Sequence, residues 1–352
     1  MNARISNREM TVRSRGGGVS FQIRPRTALL ILGLSAAVII AVVFGTGWGE
    51  QYISPLGVWQ TIWGTRQGEY DFIIMTLRLP RVLVSLLAGA ALGVSGAVLQ
   101  GVIRNPLASP DIIGITGGAS AAAVGFLAFL GGTVSIKLLP LAAILGALAV
   151  SLLVYALSWN KGVSPVRLVL IGTGLSAAAS AATTLMLVLS SDTTAGQAYI
   201  WMTGSVYGST WDDVATLLPA VVIGIPLAAL FARSLNAQEL GDDTAGGLGV
   251  AVQPHRLVLL LISVALAGFA VSVAGALGFV GLIAPHAARK WAGRPFGALT
   301  AVSALCGALL VFLADLIART VFYPLDVPAG VFTAGVGAPF FIYLLFHNRN
   351  RL

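Results

Sequence analysis

The 352-residue chain is 57% hydrophobic and only 10% charged, with a mean hydropathy of +0.90. A soluble domain carries about 25% charged residues, so these proportions exclude an ordinary soluble protein and describe a single polytopic membrane domain. The net charge of +8 is not a nucleic-acid signal, because the basic residues lie between apolar runs and read as loop charge.

Residues 1–26 hold six arginines and Gly16-Gly17-Gly18, and read as a disordered basic cytoplasmic tail. The run from Thr27 to Gly47 reads as a first span and not as a signal peptide. It is long enough to cross, has no clear small-residue cleavage site, and is followed by many more apolar runs. Ten segments are expected in all, near 27–47, 80–101, 112–131, 138–158, 167–190, 214–231, 257–276, 279–289, 296–318 and 329–347. The membrane domain is then 27–347, with 348–352 a short C-terminal tail. The eighth segment is short, and is expected to sit inside the bundle. With both termini in the cytoplasm, 16 of the 21 basic residues fall inside and five outside. That bias supports this orientation.

Three of the five outside cations, Arg78, Arg81 and Arg319, lie at span ends. They can snorkel to lipid phosphates, or form a docking surface for an acidic partner, since the guanidinium fork binds carboxylates two-pronged. The outside segment 191–213, with Tyr199, Trp201, Tyr207 and Trp211, reads as a short interfacial helix. The inside loop 232–256 reads as a short helix on the cytoplasmic face, with Leu240 and Leu248 as its apolar contacts. Its Glu239, Asp242 and Asp243 lack the spacing of a calcium loop. The fifth span carries Gly172, Thr173, Gly174, Ser176 and Ser180. Such a weakly polar surface suits a path that binds nothing tightly.

No P-loop sequence and no nucleophile-elbow sequence is present, and His255, His286 and His347 are scattered. Cys306 is alone in an apolar run and reads as packing. Asp315 is the one acid well inside such a run. It is a candidate proton relay, but Arg319 at i+4 offers a local structural ion pair, which is the favoured reading. So few ionisable groups at mid-depth argue against ion-coupled transport and for energy drawn from another chain.

Four stretches are specific enough to name a relationship. They are RLPRVLVSLLAGAALGVSGAVLQGVIRNPLASPDIIGITGGAS (78–120), QELGDDTAGGLGV (238–250), GALGFVGLIAPHAARKWAG (275–293) and LLVFLADLIARTVFYPLDVPAGVFTAGVGAPFFIYLL (309–345). On these the chain resembles the permease subunits of ATP-binding-cassette importers for iron–siderophores and cobalamin. The resemblance implies an all-α, ten-span type II importer permease fold in the cytoplasmic membrane. It implies a ferric siderophore as cargo, with cobalamin or haem as alternatives. It implies a second permease subunit, two ATP-binding subunits and an extracytoplasmic substrate-binding protein. No cofactor is expected on this chain, and ATP and magnesium belong to the ATPase. By the same resemblance Arg78, Arg81 and Arg319 face glutamates of the binding protein. The ATPase meets the loop of Glu239, Leu240, Gly241, Asp242, Asp243, Leu248 and Gly249, where the glycines permit tight turns. Ser164, Pro165 and Val166 lie in the cytoplasmic gate region, though an ordinary turn reads almost as well there. Finally, 95–110 echoes 274–289 in small-residue pattern, as an inverted repeat would.

Overall fold

Each of the ten expected segments is a helix in the computed structural model, which describes residues 10–13, 20–23, 25–49, 51–64, 68 and 70–348. The rest of the basic tail, Arg66 and residues 349–352 lie outside the described residues. The described parts of the tail pair as an antiparallel ribbon, β1 (Met10–Arg13) with β2 (Ser20–Ile23), where the sequence reading expects no structure.

The helices are α1 (Pro25–Gly47), α2 (Pro55–Ile62), α3 (Leu79–Ile103), α4 (Ile115–Leu130), α5 (Leu139–Leu157), α6 (Pro165–Leu189) and α7 (Asp192–Thr203). They continue as α8 (Trp211–Leu230), α9 (Ala232–Gln238), α10 (Asp242–Gly247), α11 (Val252–Ala274), α12 (Val280–Ala292), α13 (Phe296–Val321) and α14 (Ala329–Asn348). Among the described residues, eight helical segments are long and apolar enough to cross a bilayer. The 16 residues of α4 and the 13 of α12 rise only about 24 and 20 Å at 1.5 Å per residue. Both lie within the bundle, α12 burying Val280, Gly281, Leu282, Ala284, Pro285 and Ala288.

Local chemistry sets the helix ends. Ser164 and Ser191 cap α6 and α7 by accepting from the amides of Arg167 and Thr194. A capping box of Thr210 and Asp213 opens α8. The eight-residue α2, capped by Ser54, has no counterpart in the sequence reading. Before α3, residues Phe72–Arg78 form a π-helix, and Leu79 donates to the carbonyl of Ile74. Pro80 has no amide to give to residue 76; the wider turn carries the chain into α3 despite that missing bond.

The central helix is α3, packed by α8, α11, α12 and α13. In lipid the tails are as apolar as leucine, so close packing and hydrogen bonds must hold helices together. Both are visible. Gly89 on α3 and Gly307 on α13 face each other so closely that a Cβ on either falls 2.1 Å from the other's carbonyl oxygen. Gly93 meets Ser303 the same way, and Gly96 meets Gly281 of α12. The two echoing segments therefore touch at Gly96 and Gly281. Between α3 and α11, Ser95 Oγ donates to the carbonyl of Ser263 at 2.9 Å, and Ser263 Oγ returns the bond to Ser95 at 3.1 Å. By contrast α1, α5 and α6 leave most of their apolar surface uncovered, as lipid or a second subunit would require.

The close approach makes a sharp test. Gly96→Ala sets a methyl 1.8 Å from the Gly281 carbonyl oxygen, whereas Gly174 on α6 has nothing within 4 Å. Gly96→Ala is expected to destabilise the protein by about 1–3 kcal/mol, the usual cost of overpacking. Gly174→Ala is expected to be neutral or slightly stabilising. Thermal unfolding of the two variants in detergent checks the contrast.

Candidate functional site

The three arginines of the expected docking surface converge on one end of α1, α3 and α13, and their guanidiniums are already engaged there. Arg81, one turn into α3, grips Asp315 of α13 with both arms of its fork. Nε donates to Oδ1 and Oδ2 at 3.0 and 3.2 Å, and Nη2 donates to Oδ1 at 2.8 Å. The same Nη2 donates to Asp326 at 3.0 Å, and the guanidinium lies 5.4 Å over the Tyr207 ring. Asp315 is 1% exposed and Arg81 11%. The expected pair of Asp315 with Arg319 is present at 3.7 Å, but as the longer partner. A partner 234 positions away, across a helix interface, holds the acid more closely than its neighbour one turn on. A buried carboxylate left without a cation is strongly unfavourable, and two guanidiniums supply the charge.

The other arginines finish α1. Arg78 donates to the carbonyls of Thr46 and Gly47 at 3.2 and 3.3 Å and to Gln51 at 2.9 Å. Arg319 donates to the carbonyl of Gly45. The last carbonyls of a helix have no partner within it and carry partial negative charge. Cations from α3 and α13 satisfy them and tie α1 to the core.

A second charged cluster lies at the opposite end of α3. Arg104, the C-cap of α3 in a left-handed conformation, donates to Asp242 at the start of α10. Arg256, in the first turn of α11 and fully buried, donates to the same Asp242 oxygen at 2.8 Å and to the carbonyl of Val163. The amide of Val163 donates to Gln253 at 2.9 Å. Partial burial and then the Arg256 charge lower the Arg104 pKa from its ordinary value, and arginine remains charged all the same. The expected turns hold, with φ of +113° at Gly241 and +82° at Gly249. Between them is the expected short helix, α10. Leu240 and Leu248 are 66% and 65% exposed, while Ala245 packs inward. Glu239 and Asp243 are exposed beside them.

In the gate region, the Ser164 hydroxyl is used to cap α6, Pro165 occupies its first turn, and Val166 is exposed. The loop before it is held by Arg167, which donates to the carbonyl of Ser158 at 3.2 Å. On α6 the four candidate path residues divide. Gly172 is buried, with room for no Cβ beside the Ile112 carbonyl. Ser176 donates to the carbonyl of Asp111 at 3.1 Å. Thr173 and Ser180 are on the open face.

The sequence reading missed Asp326, Gln253 and the sharing of Asp242 by Arg104 and Arg256, and it placed Tyr207 in the interfacial helix, whereas α7 ends at Thr203 and Tyr207 lies under Arg81. The two arginines were visible only as loop charge; nothing in a linear pattern says that a basic residue beside an apolar run will pair with an acid 14 or 138 positions away.

Residues 37–347 match the family model described as the FecCD transport family. The chain is 50% identical over 329 residues to the probable siderophore transport system permease protein YfhA of Bacillus subtilis, covering 92% of this chain and 94% of that protein. It is 48% identical over 336 residues to the achromobactin transport system permease protein CbrC of Dickeya dadantii, covering 96% of each. A solved inward-facing structure of a putative metal-chelate type ABC transporter superposes with a TM-score of 0.81 at 30% identity, over 91% of this chain and 99% of that one. With its bundle of membrane-crossing helices and a family match across almost its whole length, the chain belongs to the FecCD transport family.

Proposed function

We propose that the chain is the membrane-spanning subunit of an ATP-driven importer that carries a ferric siderophore across the cytoplasmic membrane into the cell. The observation that carries this reading is half-identity, along nearly the entire chain, to a protein named as a probable siderophore permease. In this reading both termini are cytoplasmic and a second permease subunit covers the bare apolar faces. Two ATP-binding subunits, holding ATP and magnesium, supply the energy. Leu240 and Leu248 are the apolar contacts offered to that ATPase, with Glu239 and Asp243 beside them. Leucines two-thirds exposed on a loop are poorly explained by a chain acting alone. Motion at this loop reaches the gate region of Ser164, Pro165 and Val166, and cargo slides past Thr173 and Ser180.

At the other face an extracytoplasmic binding protein docks on the cluster around Arg78, Arg81 and Arg319. Three guanidiniums against Asp315 and Asp326 leave a net positive charge, which steers an acidic partner into register. The ion-coupled alternative, with Asp315 as the relay, is disfavoured. A relay needs a carboxylate free to exchange partners, and that of Asp315 is 1% exposed and gripped by Arg81 at 2.8–3.2 Å, with Arg319 at 3.7 Å.

Uptake of 55Fe presented as citrate, hydroxamate and catecholate chelates, by cells with and without the chain, tests the function. One chelate class is expected to lose uptake when the chain is removed. Unchanged uptake of all three sinks the siderophore reading. Asp315→Ala is expected to strand two guanidiniums and cost about 3–5 kcal/mol, the range for a broken buried pair, seen as a lowered melting temperature in detergent. A relay role instead requires a normally stable variant with altered gradient dependence. Because Arg81 and Arg319 balance Asp315, docking is best tested at Arg78. Arg78→Glu is expected to weaken binding-protein association several-fold at low salt, with the difference shrinking as salt screens it. Equal affinity at every salt concentration removes Arg78 from the docking surface.

A further inference from the structure

We propose that Asp242 is a positioning residue through which one movement of α10 is divided between two separate loops of the membrane domain. The inference rests on the reading of α10 as the element that meets the ATPase. It concerns what happens after that contact, and it is carried by the geometry of five residues.

The six-residue α10 is set between two glycine turns. Gly241 precedes it at φ +113° and Gly249 follows its C-cap at φ +82°, positions at which only glycine turns freely. α10 packs on α9 and α11, and its side-chain ties to the domain include the inward-packed Ala245 and the carboxylate of Asp242. Oδ1 of that carboxylate takes hydrogen bonds from two guanidiniums that belong to different places.

One arm runs through Arg104, the C-cap of α3 and first residue of the 104–114 loop. It is part-exposed and leads directly into Asn105, whose Oδ1 accepts from the amide of Leu107 at 2.9 Å. The other arm runs through Arg256. This side chain is fully buried and bonds Asp242 and the Val163 carbonyl with separate nitrogens. Gln253, three residues earlier on α11, holds the Val163 amide. Val163 immediately precedes the gate residues Ser164, Pro165 and Val166. One carboxylate thus reaches the backbone of the gate loop through a single side chain.

Energetics make the tie hard to ignore. If α10 shifts alone, Arg256 is left buried with its charge unmatched, which is strongly unfavourable. Either Arg256 follows, pulling Val163, or α10 stays. The Nε–H of Arg256 is buried with no acceptor among the described residues. That leaves the guanidinium a donor to offer when the loops rearrange. Two like charges on one oxygen also repel each other, so neither arm is indifferent to the other.

The test uses the full permease with its ATPase subunits in nanodiscs, followed by hydrogen–deuterium exchange with and without Mg·ATP and vanadate. The readouts are the peptides covering 104–114 and 158–167, with co-purified ATPase as the control that the partner contact is intact. In the wild type both peptides are expected to change exchange on nucleotide trapping. Arg256→Gln is expected to lose the response at 158–167 and keep it at 104–114. Arg104→Gln is expected to do the converse, and Asp242→Asn to lose both. If either arginine variant keeps both responses, or loses both, the division of motion at Asp242 is wrong. If Arg256→Gln does not fold, the selective loss in Arg104→Gln still decides the matter. A wild-type permease that fails to retain an ATPase, or shows no nucleotide response, sinks the underlying transport reading and this inference with it.

Discussion

A carboxylate buried in an apolar bundle must be matched by a cation, and the pairing of Asp315 with Arg81 organises one end of this protein. The acid is on α13 and the base on α3, so the pair welds two helices that also meet closely through Gly89 and Gly307. Once Arg81 is committed to Asp315, its neighbour Arg78 and the acid's own helical neighbour Arg319 turn to the bare carbonyls at the end of α1. Two arginines flanking a proline at the mouth of an apolar helix thus have distinct structural tasks. Pro80 between them accompanies a π-turn that leads into α3. The same residues form the cationic surface on which docking is proposed. The cluster is preorganised, and its side chains lose little further freedom when a partner arrives.

The far end of α3 repeats the principle. There one acid, Asp242, collects two arginines, and the acid is on the short α10 while the bases are rooted in long helices. Between the two ends, α3 is held by glycine-on-carbonyl contacts and by the reciprocal Ser95–Ser263 bonds. In a lipid environment these short-range interactions replace the hydrophobic drive of soluble proteins. The result is a rigid central rod with a charged knot at each end. The less covered helices, α5 and α6, and the short α10 are left as the parts with fewer constraints.

Much of this was legible in the linear pattern. Span positions followed from apolar runs, because a bilayer demands about 20 such residues at a crossing. The burial of α12 followed from its being too short to cross. Gly241 and Gly249 announced turns. Family membership was legible from four long stretches, each too specific to arise from composition. The i+4 spacing of Asp315 and Arg319 predicted a pair but misjudged its rank, since helical spacing cannot see a competing cation on another helix.

By itself, then, the sequence determined that this is a membrane protein of the FecCD family with ten apolar segments that fold as helices, with cations at span ends and one acid well inside a span. Hydropathy and local turn preferences act over a few residues, and so are written along the chain. Only the tertiary structure decided that Arg81 holds Asp315, that Arg78 and Arg319 complete α1, and that Arg104 and Arg256 share Asp242. Which charges meet depends on how helices cross, and that is set by small residues whose carbonyls and missing side chains fit together in space.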